Sequence, residues 1–416
     1  MHALEKILAA HAGQESVRTG EIVNCKVDVA GINDLYPQAM YSFREMGGVQ
    51  VKNPENVLIF LDHYAPASTI RQAENQKQFR EFAREQGIPG LMEINEGVCH
   101  QVMADKGYSY PGSVIVVTDS HTTTHGAFGA FSTGVGATDM ACILKTGELW
   151  FRVPEIMRIT LNGHLQKGVY AKDLILHIIG RVGADFAAYR GVCFEGSLIG
   201  ELSVSERMAL CNMTTEMGAK ATYIQPDRVT MEFLAQRHIE RFTVYETDAG
   251  YQYCEDLVFD AGLVAPQVAV PFSVDNVADL SEHAGTPLQQ AFLGSCTGGR
   301  LEDIEVAARI LKGRHIAEGM RMLVVPASKK VLQDAIAAGY ITDLIEAGCA
   351  LVSPGCAACL GTHEGLLAEG ESCISSTNRN FPGRMGHKNG RIYLASPAAV
   401  AASALTGAIT DPRDYL

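Results

Sequence analysis

The sequence lacks the features that place a chain in a membrane or outside the cell. No stretch reaches the roughly 18 consecutive apolar residues of a membrane span. The first residues, Met1 to Gly13, include Glu5 and Lys6 within a helical apolar pattern, unlike the basic and then apolar layout of a signal peptide. We therefore expect a cytoplasmic protein.

The chain also lacks an excess of positive charge. Its 34 lysines and arginines face 47 aspartates and glutamates, which gives a formal net charge of −13. The average surface field therefore repels phosphate backbones and disfavours a nucleic-acid partner. An anionic substrate would need a local cationic pocket in an otherwise acidic protein.

No disulfide framework is indicated. The chain has 11 cysteines, an odd number, without a secretory signal. The cysteines are better explained by buried thiols together with a metal site. Short repeats and low-complexity tracts are absent as well, so the chain must fold around ordinary globular cores.

What the sequence does contain is an alternation of short β-branched runs and amphipathic helical stretches, typical of α/β layers. Its 416 residues exceed one ordinary domain. We predict three α/β units, over 1–152, 153–271 and 272–416. Expected elements include a helix from Thr69, a capping-box residue, to Gly87; a buried strand over 113–118; and a helix over 205–218 that places Asn212 and Glu216 on one face.

Three cysteines stand apart from the others. Cys296, Cys356 and Cys359 lie in glycine-rich segments next to strand-like runs, where α/β folds gather ligands. Three thiolates without a fourth partner suit an iron-sulfur cluster with one open iron. Half of a zinc site and a cysteine nucleophile elbow are alternatives, but the first lacks a matching pair and the second leaves two cysteines unexplained. The other eight cysteines, such as Cys142 and Cys211, are expected on apolar helical faces in the core.

Acidic residues and histidines recur together after apolar stretches. The candidates for acid-base chemistry are Asp62, His63, His100, Asp119, Ser120 and His121. A carboxylate beside an imidazole fixes its tautomer and raises its pKa, which suits a donor of a proton to a leaving hydroxyl. Asp119-Ser120-His121 cannot itself be a hydrolase triad, because neighbouring side chains on an extended segment point to opposite faces. Each pair, taken singly, is also compatible with an ordinary polar corner.

Near the C-terminus, one loop concentrates Asn378, Arg379 and Arg384 between glycine and proline residues. Two guanidinium groups so close together make a clamp for a dicarboxylate. The alternative is a pair of arginines neutralised by surface carboxylates.

Together these segments resemble the aconitase superfamily, and within it the large subunits of the isopropylmalate dehydratase type. The resemblance spans nearly the whole chain and is carried by seven ordered motifs: Asp62-His-Tyr-Ala-Pro66, Gly97-Val-Cys-His-Gln101, Thr118-Asp-Ser-His-Thr122 continuing to Asp139, Cys211-Asn-Met-Thr-Thr-Glu216, Gly294-Ser-Cys-Thr297, Pro354-Gly-Cys-Ala-Ala-Cys359 and Thr377-Asn-Arg-Asn-Phe381.

The resemblance implies three α/β units around a [4Fe-4S] cluster held by Cys296, Cys356 and Cys359, without the swivelling fourth domain. The open iron would act as a Lewis acid on a substrate hydroxyl and carboxylate, without redox change. Carried over by motif, the implied roles are proton donation by Asp62 and His63 with His100 and Asp119, a cavity lined by Ser120 and His121, positioning of cluster-bound water by Asn212 and Glu216, and substrate carboxylate binding by Asn378, Arg379 and Arg384.

The resemblance also implies a partner. In single-chain relatives a fourth domain supplies the serine base, whereas this sequence ends at Leu416 shortly after the Arg379 loop. We therefore expect a separate small subunit. The expected reaction is dehydration and rehydration of a hydroxy-di- or tricarboxylate, with isopropylmalate first and homoaconitate, 2,3-dimethylmalate or methylmalate/citraconate as alternatives. A non-catalytic metal-binding regulatory module is the alternative of another class.

Two departures from the family pattern stand out. Gly298 follows Thr297 where the family usually has asparagine, so support for Cys296 is expected to be weaker. The segment Gly31-Ile-Asn-Asp-Leu-Tyr-Pro37 replaces a His-Asp-x-Thr-Gly pattern and is expected to alter one wall of the substrate site.

Overall fold

The computed structural model describes residues 1–416. Its N-terminal region contains a five-stranded parallel sheet of order β4-β3-β2-β5-β6, and a separate antiparallel pair of β1 with β7. The strands are β1 Ile22–Lys26, β2 Val29–Asn33, β3 Val57–Phe60, β4 Gly90–Met92, β5 Val114–Val117, β6 Phe131–Gly134 and β7 Glu148–Arg152. The helices are α1 Ala3–His11, α2 Gln38–Glu45, α3 Ile70–Gln86, α4 Cys99–Asp105 and α5 Ala137–Thr146.

The strand order of this sheet locates a crevice. The chain runs from β2 outward through β3 and β4 on one side, and from β5 to β6 on the other. Neighbouring strands whose connections leave in opposite directions open a gap at their carboxyl ends, where α/β proteins bind ligands. The gap here lies between β2 and β5, beside the residues that follow Asn33 and Val117.

The middle region forms a second, four-stranded parallel sheet of order β10-β9-β8-β11. Its strands are β8 Ile156–Asn162, β9 Gly191–Glu195, β10 Ala221–Ile224 and β11 Asp256–Asp260, and its helices are α6 Ala171–Val182, α7 Val204–Met213 and α8 Arg228–Ala235. Helix α7 is shorter than predicted. A 3-10 turn, Thr214–Met217, continues it and ends at the left-handed Gly218, so Asn212 and Glu216 lie on different helical elements.

The C-terminal region forms a seven-stranded sheet of order β13-β12-β18-β17-β14-β15-β16. Its strands are β12 Gln267–Ala269, β13 Val277–Asp279, β14 Gln290–Gly294, β15 Arg321–Val325, β16 Ala350–Leu351, β17 Ser372–Ser375 and β18 Arg391–Ala395. Its helices are α9 Leu301–Leu311, α10 Lys329–Ala337, α11 Tyr340–Glu346 and α12 Pro397–Thr406. Strand β12 alone runs opposite to the others: its pairs with β13 and β18 are antiparallel, and the remaining pairs of this sheet are parallel.

This sheet has its own crevice, between β14 and β17. The chain leaves β14 toward β15 and β16, but leaves β17 toward β18 on the other side. The loop after β14 carries Cys296 and the loop after β17 carries Asn378, so two segments 82 positions apart in sequence meet at one edge.

The three regions share their largest hydrophobic core. It joins Phe128 from the first region, Leu176 from the second and Phe292 from the third, all of them fully buried. The regions therefore pack as one body around the loops between them. The domain boundaries at 152/153 and 271/272 stay a prediction; the three main sheets span 29–134, 156–260 and 267–395.

Several local predictions are matched by the structure. Thr69 caps α3 with a reciprocal Gln72 contact, and Gly87 ends that helix in the left-handed region. No helix combines the length and the apolar character needed to cross a bilayer. The expectation that the eight other cysteines are helical core residues is wrong for five of them. Cys254 is exposed, Cys349 lies between α11 and β16, and Cys25, Cys193 and Cys373 lie on strands.

Candidate active site

Asp119 is the centre of a buried histidine cluster at the first crevice. It follows β5 and caps a 3-10 helix, Ser120–Phe128, by accepting from the His121 amide at 2.8 Å. Its carboxylate also faces His100 Nε2 at 3.2 Å and His63 Nε2 at 3.6 Å. Burial raises the pKa of Asp119, but the hydrogen bonds from His100, His121 and His63 outweigh it and hold that pKa well below its usual range.

The turn after β5 corrects one assumption about this motif. The Asp119–His121 run is not extended, because the 3-10 helix begins at Ser120. Asp119 Oδ1 lies 3.5 Å from His121 Nδ1, so both side chains face the same site. Ser120 is exposed at the rim and lines a cavity of about 430 Å³ together with Thr215 and Lys220.

Asp62 and His63 follow β3 and lie beside this cluster. Asp62 Oδ1 lies 2.7 Å from His63 Nδ1, while Asp62 Oδ2 accepts from the Cys99 amide at 2.8 Å. Burial lowers the pKa of His63, but the carboxylates of Asp62 and Asp119 outweigh burial and raise it well above its usual value. His63 is therefore buried between two carboxylates that favour its charged form.

Asp34 is a participant that the sequence analysis missed. It is fully buried after β2 and accepts from the amides of His63 at 3.0 Å and Tyr64 at 3.3 Å, and from Gln76 Nε2 at 3.1 Å. Asp34 belongs to the segment that departs from the family pattern. Its position directly after a buried strand, which it shares with Asp62 and Asp119, could have identified it.

A second acid-histidine pair joins the first two regions. Glu216 Oε1 accepts from His121 Nε2 at 2.7 Å and from Arg379 Nε at 2.8 Å. Burial raises the pKa of Glu216, but hydrogen bonds and charge from His121 and Arg379 lower it overall. The terminal nitrogens of Arg379 make no hydrogen bond, so one side of this guanidinium is free for a ligand.

The structure brings the loops of the predicted cysteines to one place. The Asn378 amide group lies between Cys296 Sγ, 3.6 Å from its nitrogen, and Cys359 Sγ, 3.7 Å from its oxygen. Asn212 Nδ2 also donates to Cys296 Sγ at 3.2 Å. Cys356 lies in the same turn as Cys359, and its amide donates to Asp62 O at 3.0 Å. This last bond joins the cysteine turn to the acid-histidine network.

The arginine clamp differs from the prediction. Arg379 is paired with Glu216, whereas Arg384 Nη2 points at Cys359 Sγ from 3.7 Å, so the two guanidinium groups do not form an empty fork. A hydrogen bond from Cys356 and the charge of Arg384 hold the pKa of Cys359 well below its usual value. The same hydrogen bond and burial raise the pKa of Cys356. Arg384 Nε is buried without any partner.

Gly298 is explained by its neighbour. A Cβ at this position would overlap the side chain of Ser376. The Ser376 hydroxyl accepts from the Gly294 amide at 2.9 Å and so braces the loop that carries Cys296. The Cys296 loop thus keeps side-chain support without an asparagine at 298.

Lys172 was also not predicted. A single lysine on an apolar helix face could have indicated a buried cation. Its ammonium is fully buried and donates to Thr377 O at 2.6 Å and Ser376 O at 3.2 Å. Burial lowers the pKa of Lys172 to about 8, and the thiols of Cys296 and Cys359 partly oppose that shift. Lys172 therefore places an amino group beside the Ser376–Thr377 backbone, next to the cysteine loops.

The model of the aconitase family (aconitate hydratase) matches residues 5–407. The chain belongs to the aconitase family. Similar proteins include the 3-isopropylmalate dehydratase large subunit 1 of Methanopyrus kandleri, 47% identical over 99% of both chains, and the probable methanogen homoaconitase large subunit of Methanosarcina mazei, 52% identical over 90% of this chain and 95% of that one. The 3-isopropylmalate dehydratase large subunit of Aquifex aeolicus is 44% identical over 100% of this chain and 98% of that one.

A solved structure shares the fold. Thermococcus kodakaraensis aconitase X superposes with a TM-score of 0.51 over 91% of this chain and 90% of that chain, at 12% identity. The predicted α/β fold is confirmed, as are the predicted resemblance to the family and the class of enzyme, a hydro-lyase. Membership in the aconitase family implies a [4Fe-4S] cluster.

Proposed function

We propose that this chain is the large subunit of a hydro-lyase that interconverts 2- and 3-isopropylmalate, with a [4Fe-4S] cluster on Cys296, Cys356 and Cys359. The observation that carries the proposal is the direct junction of two arrangements. Asn378 contacts the buried thiols of Cys296 and Cys359, and the backbone amide of Cys356, in the same turn as Cys359, donates to the carbonyl oxygen of Asp62. Removal of water from a hydroxy acid needs both an electrophile for oxygen and a proton donor.

The cysteine loops fit a cluster on three grounds. All three cysteines are buried, with at most 5% exposure. The carboxamides of Asn212 and Asn378 contact Cys296 Sγ, and the guanidinium of Arg384 contacts Cys359 Sγ. Arg384 Nε has no partner, as expected if an acceptor belongs beside it. In two places three potential metal-ligand atoms all lie within 4.8 Å of one another, and Cys296, Cys356 and Cys359 belong to neither group. The three sulfur atoms are therefore more widely spaced than the ligands of one tetrahedral zinc ion, which disfavours the zinc alternative.

When bound, the cluster would supply a Lewis-acidic iron that polarises the substrate hydroxyl. His63 carries the proton for the departing hydroxyl, because Asp62 and Asp119 keep it charged. Asp119 holds His100 and His121 in fixed orientations around the same space. The free nitrogens of Arg379 bind a substrate carboxylate, while Glu216 fixes the direction of that guanidinium.

Asn212 and Asn378 orient the cysteine ligand at position 296. The positioning of cluster-bound water by Asn212 and the binding of substrate carboxylate by Asn378 stay predictions. Arg384 adds positive charge at Cys359 and has a free nitrogen for either the cluster or the substrate. Ser120 lies at the exposed rim, where it would meet substrate or a partner chain.

A separate small subunit completes the proposal. The relatives above are named large subunits. We infer that the partner supplies the base that removes the carbon-bound proton. Its swivelling domain and the cytoplasmic location of the complex stay predictions.

Homoaconitate is the second candidate substrate. The observation in its favour is that the identity to a probable methanogen homoaconitase large subunit, 52%, exceeds the 47% to an isopropylmalate dehydratase large subunit.

The test is anaerobic co-expression with the small subunit whose gene lies nearest, followed by iron and sulfide analysis and assay of both substrates. We expect a brown complex that hydrates isopropylmaleate faster than homoaconitate, and little turnover by the large chain alone. A preference for homoaconitate would replace the first substrate with the second. A colourless zinc protein without dehydratase activity would refute the cluster and the reaction together.

A further inference from the structure

The cavity of about 430 Å³ at the Ser120 rim lies between the first and second regions. Thr118 follows β5 and Gly134 ends β6, so part of its wall is formed by the carboxyl ends of two strands of the first sheet. Another part is formed by Thr215 and Lys220, which precede β10 of the second sheet. The carboxyl ends of parallel strands are where α/β proteins bind ligands.

Lys220 is the one charged residue that lines this cavity. No aspartate or glutamate lines it, although the whole chain has 47 acidic and 34 basic residues. The carboxylates that follow Thr118 and Thr215 in sequence are already paired, Asp119 with His100 and Glu216 with His121. The cavity is therefore a local cationic pocket, which an anionic ligand of an acidic protein requires.

The ammonium group of Lys220 has no hydrogen-bond or ion-pair partner in the protein. The Lys220 backbone amide donates to Arg190 O at 2.8 Å, which fixes the residue at the edge of the second sheet. Its Nζ lies 5.5 Å from the ring centre of Tyr189 and 5.9 Å from that of Phe151, near the limit of about 6 Å for a cation-π contact. Burial lowers the pKa of Lys220, and the charge of Asp139 opposes that shift from beyond ion-pair distance.

Hydroxyl groups add neutral donors to the same cavity. Those of Tyr36 and Thr133 line it and make no hydrogen bond within the protein. Ser120 Oγ has one long contact, of 3.4 Å, to His121 Nδ1. A carboxylate accepts about four hydrogen bonds at its two oxygens, so an ammonium together with several hydroxyls matches it in kind.

We propose that this cavity binds a carboxylate of the substrate, with Lys220 as its cationic partner. This inference rests on the proposed hydro-lyase function and adds a substrate-binding residue to Arg379. The cavity volume of about 430 Å³ falls within the range of roughly 300–1,000 Å³ that small-molecule sites occupy. The carboxylate is either one that isopropylmalate and homoaconitate share, or the additional one of homoaconitate.

The first test compares Lys220→Met, which removes the charge and keeps the length of the side chain, with Lys220→Arg, which keeps the charge. In the reconstituted two-subunit enzyme we expect KM of Lys220→Met to rise about tenfold with kcat within about twofold, because the lost contact is made equally in the ground and transition states. Lys220→Arg should keep KM within about threefold. Lys77→Met, at an exposed lysine paired with Glu81, is the matched control and should change neither constant.

Assays of both hydroxy acids identify the carboxylate. A rise in KM for both substrates assigns a carboxylate that they share, and a rise for homoaconitate alone assigns its additional carboxylate. Unchanged KM values for both substrates in Lys220→Met, with cluster content and melting temperature equal to the wild type, would overturn the inference.

A second measurement needs no turnover. Tricarballylate carries three carboxylates and no hydroxyl, so it probes anion binding alone. Calorimetric titration of the full chain prepared without iron should give a Kd about tenfold higher for Lys220→Met than for the wild type and Lys77→Met. Added NaCl should weaken binding to the wild type more than binding to Lys220→Met, because salt screens the ammonium charge.

Equal Kd values for the wild type and Lys220→Met would place the anion elsewhere, and absence of binding to the wild type would leave no anion site; either result overturns the inference. If the wild-type complex turns over neither hydroxy acid but tricarballylate binding still depends on Lys220, the proposed reaction fails while the anion site stands.

Discussion

The crevices of the first and third sheets lie next to each other, yet their polar groups are satisfied in opposite ways. At the first crevice, between β2 and β5, Asp34, Asp62 and Asp119 each accept several hydrogen bonds from the protein. At the third, between β14 and β17, the thiols have weak sulfur contacts only, and Arg384 Nε has no partner. The acids of the first site are satisfied by donors from the protein, whereas the second site leaves a buried donor unpaired.

The difference indicates how the two sites respond to substitution. In a network where every hydrogen-bonding group is paired, the side chains keep their positions. Loss of one acceptor, however, leaves its neighbouring donors unpaired. A site with unmet donors gains its order from the bound group. The predictions below separate these two behaviours, from the largest expected effect to the smallest.

The largest effect is expected at the cysteine loops. Cys359→Ser removes a thiolate ligand, so bound iron should fall from about four per chain toward zero, and activity with it. Iron analysis and the visible absorption of anaerobic protein provide the measurement. Cys254→Ser, at the exposed cysteine, should keep both. Full iron content in Cys359→Ser would show that this cysteine is not a ligand.

Asp119→Asn should damage chemistry while leaving the cluster in place. An amide does not accept from His63, His100 and His121 as a carboxylate does, so kcat should fall by about 10²- to 10⁴-fold. Iron content should match the wild type. Asp256→Asn, at an exposed aspartate paired with Arg158, serves as the matched control and should retain normal kcat. Loss of iron in Asp119→Asn would mean that the two crevices are not separable.

Gly298→Ala tests the brace under Cys296. The new methyl group overlaps Ser376, so we expect destabilisation by about 1–3 kcal/mol in urea unfolding, as for other overpacked cores. Ser376→Gly in the same chain should recover part of the loss by making room. Gly200→Ala, which meets nothing within 4 Å, is the control. Equal stability of Gly298→Ala and Gly200→Ala would remove Ser376 from this role.

The smallest effect concerns pH and His63. The folded-state pKa of His63 is raised, so the stability it contributes is fully present below its unfolded pKa of about 6.5 and is lost as pH rises through the folded value. The melting temperature of the iron-free chain should therefore drop more between about pH 6 and pH 9 than that of His63→Gln. Parallel curves for the two proteins would contradict a charged His63.

Much of the fold was accessible from local patterns. The capping residue Thr69 and the terminal Gly87 predicted the helix from Ile70 to Gln86. A run of apolar residues predicted β15. The helix around Asn212 was predicted too long, because Thr214–Met217 keeps helical composition while tightening into a 3-10 turn against the first region. The spacing of apolar residues does not distinguish an α-helical turn from a 3-10 turn.

The candidate site was predicted where a residue type carries its own chemistry. Cysteines, acidic residues and histidines at strand ends were recognised, and so was the arginine loop. Asp34 and Lys172 were not predicted, although Asp34 also follows a buried strand. Their roles depend on what they contact in space, the His63 amide at 3.0 Å and the Thr377 carbonyl oxygen at 2.6 Å.

The sequence by itself determined the layered α/β fold and the family, and it gave the side chains that we propose for the site, because hydrophobic period, turn residues and side-chain chemistry are local properties. Tertiary structure alone decided the pairings: Asn378 between two cysteines, Arg379 on Glu216 rather than in an open clamp, and Ser376 in the space above Gly298. The physical reason is that strand order sets which loops meet at a crevice, and hydrogen bonds of about 3 Å are then chosen by direction and burial rather than by distance along the chain.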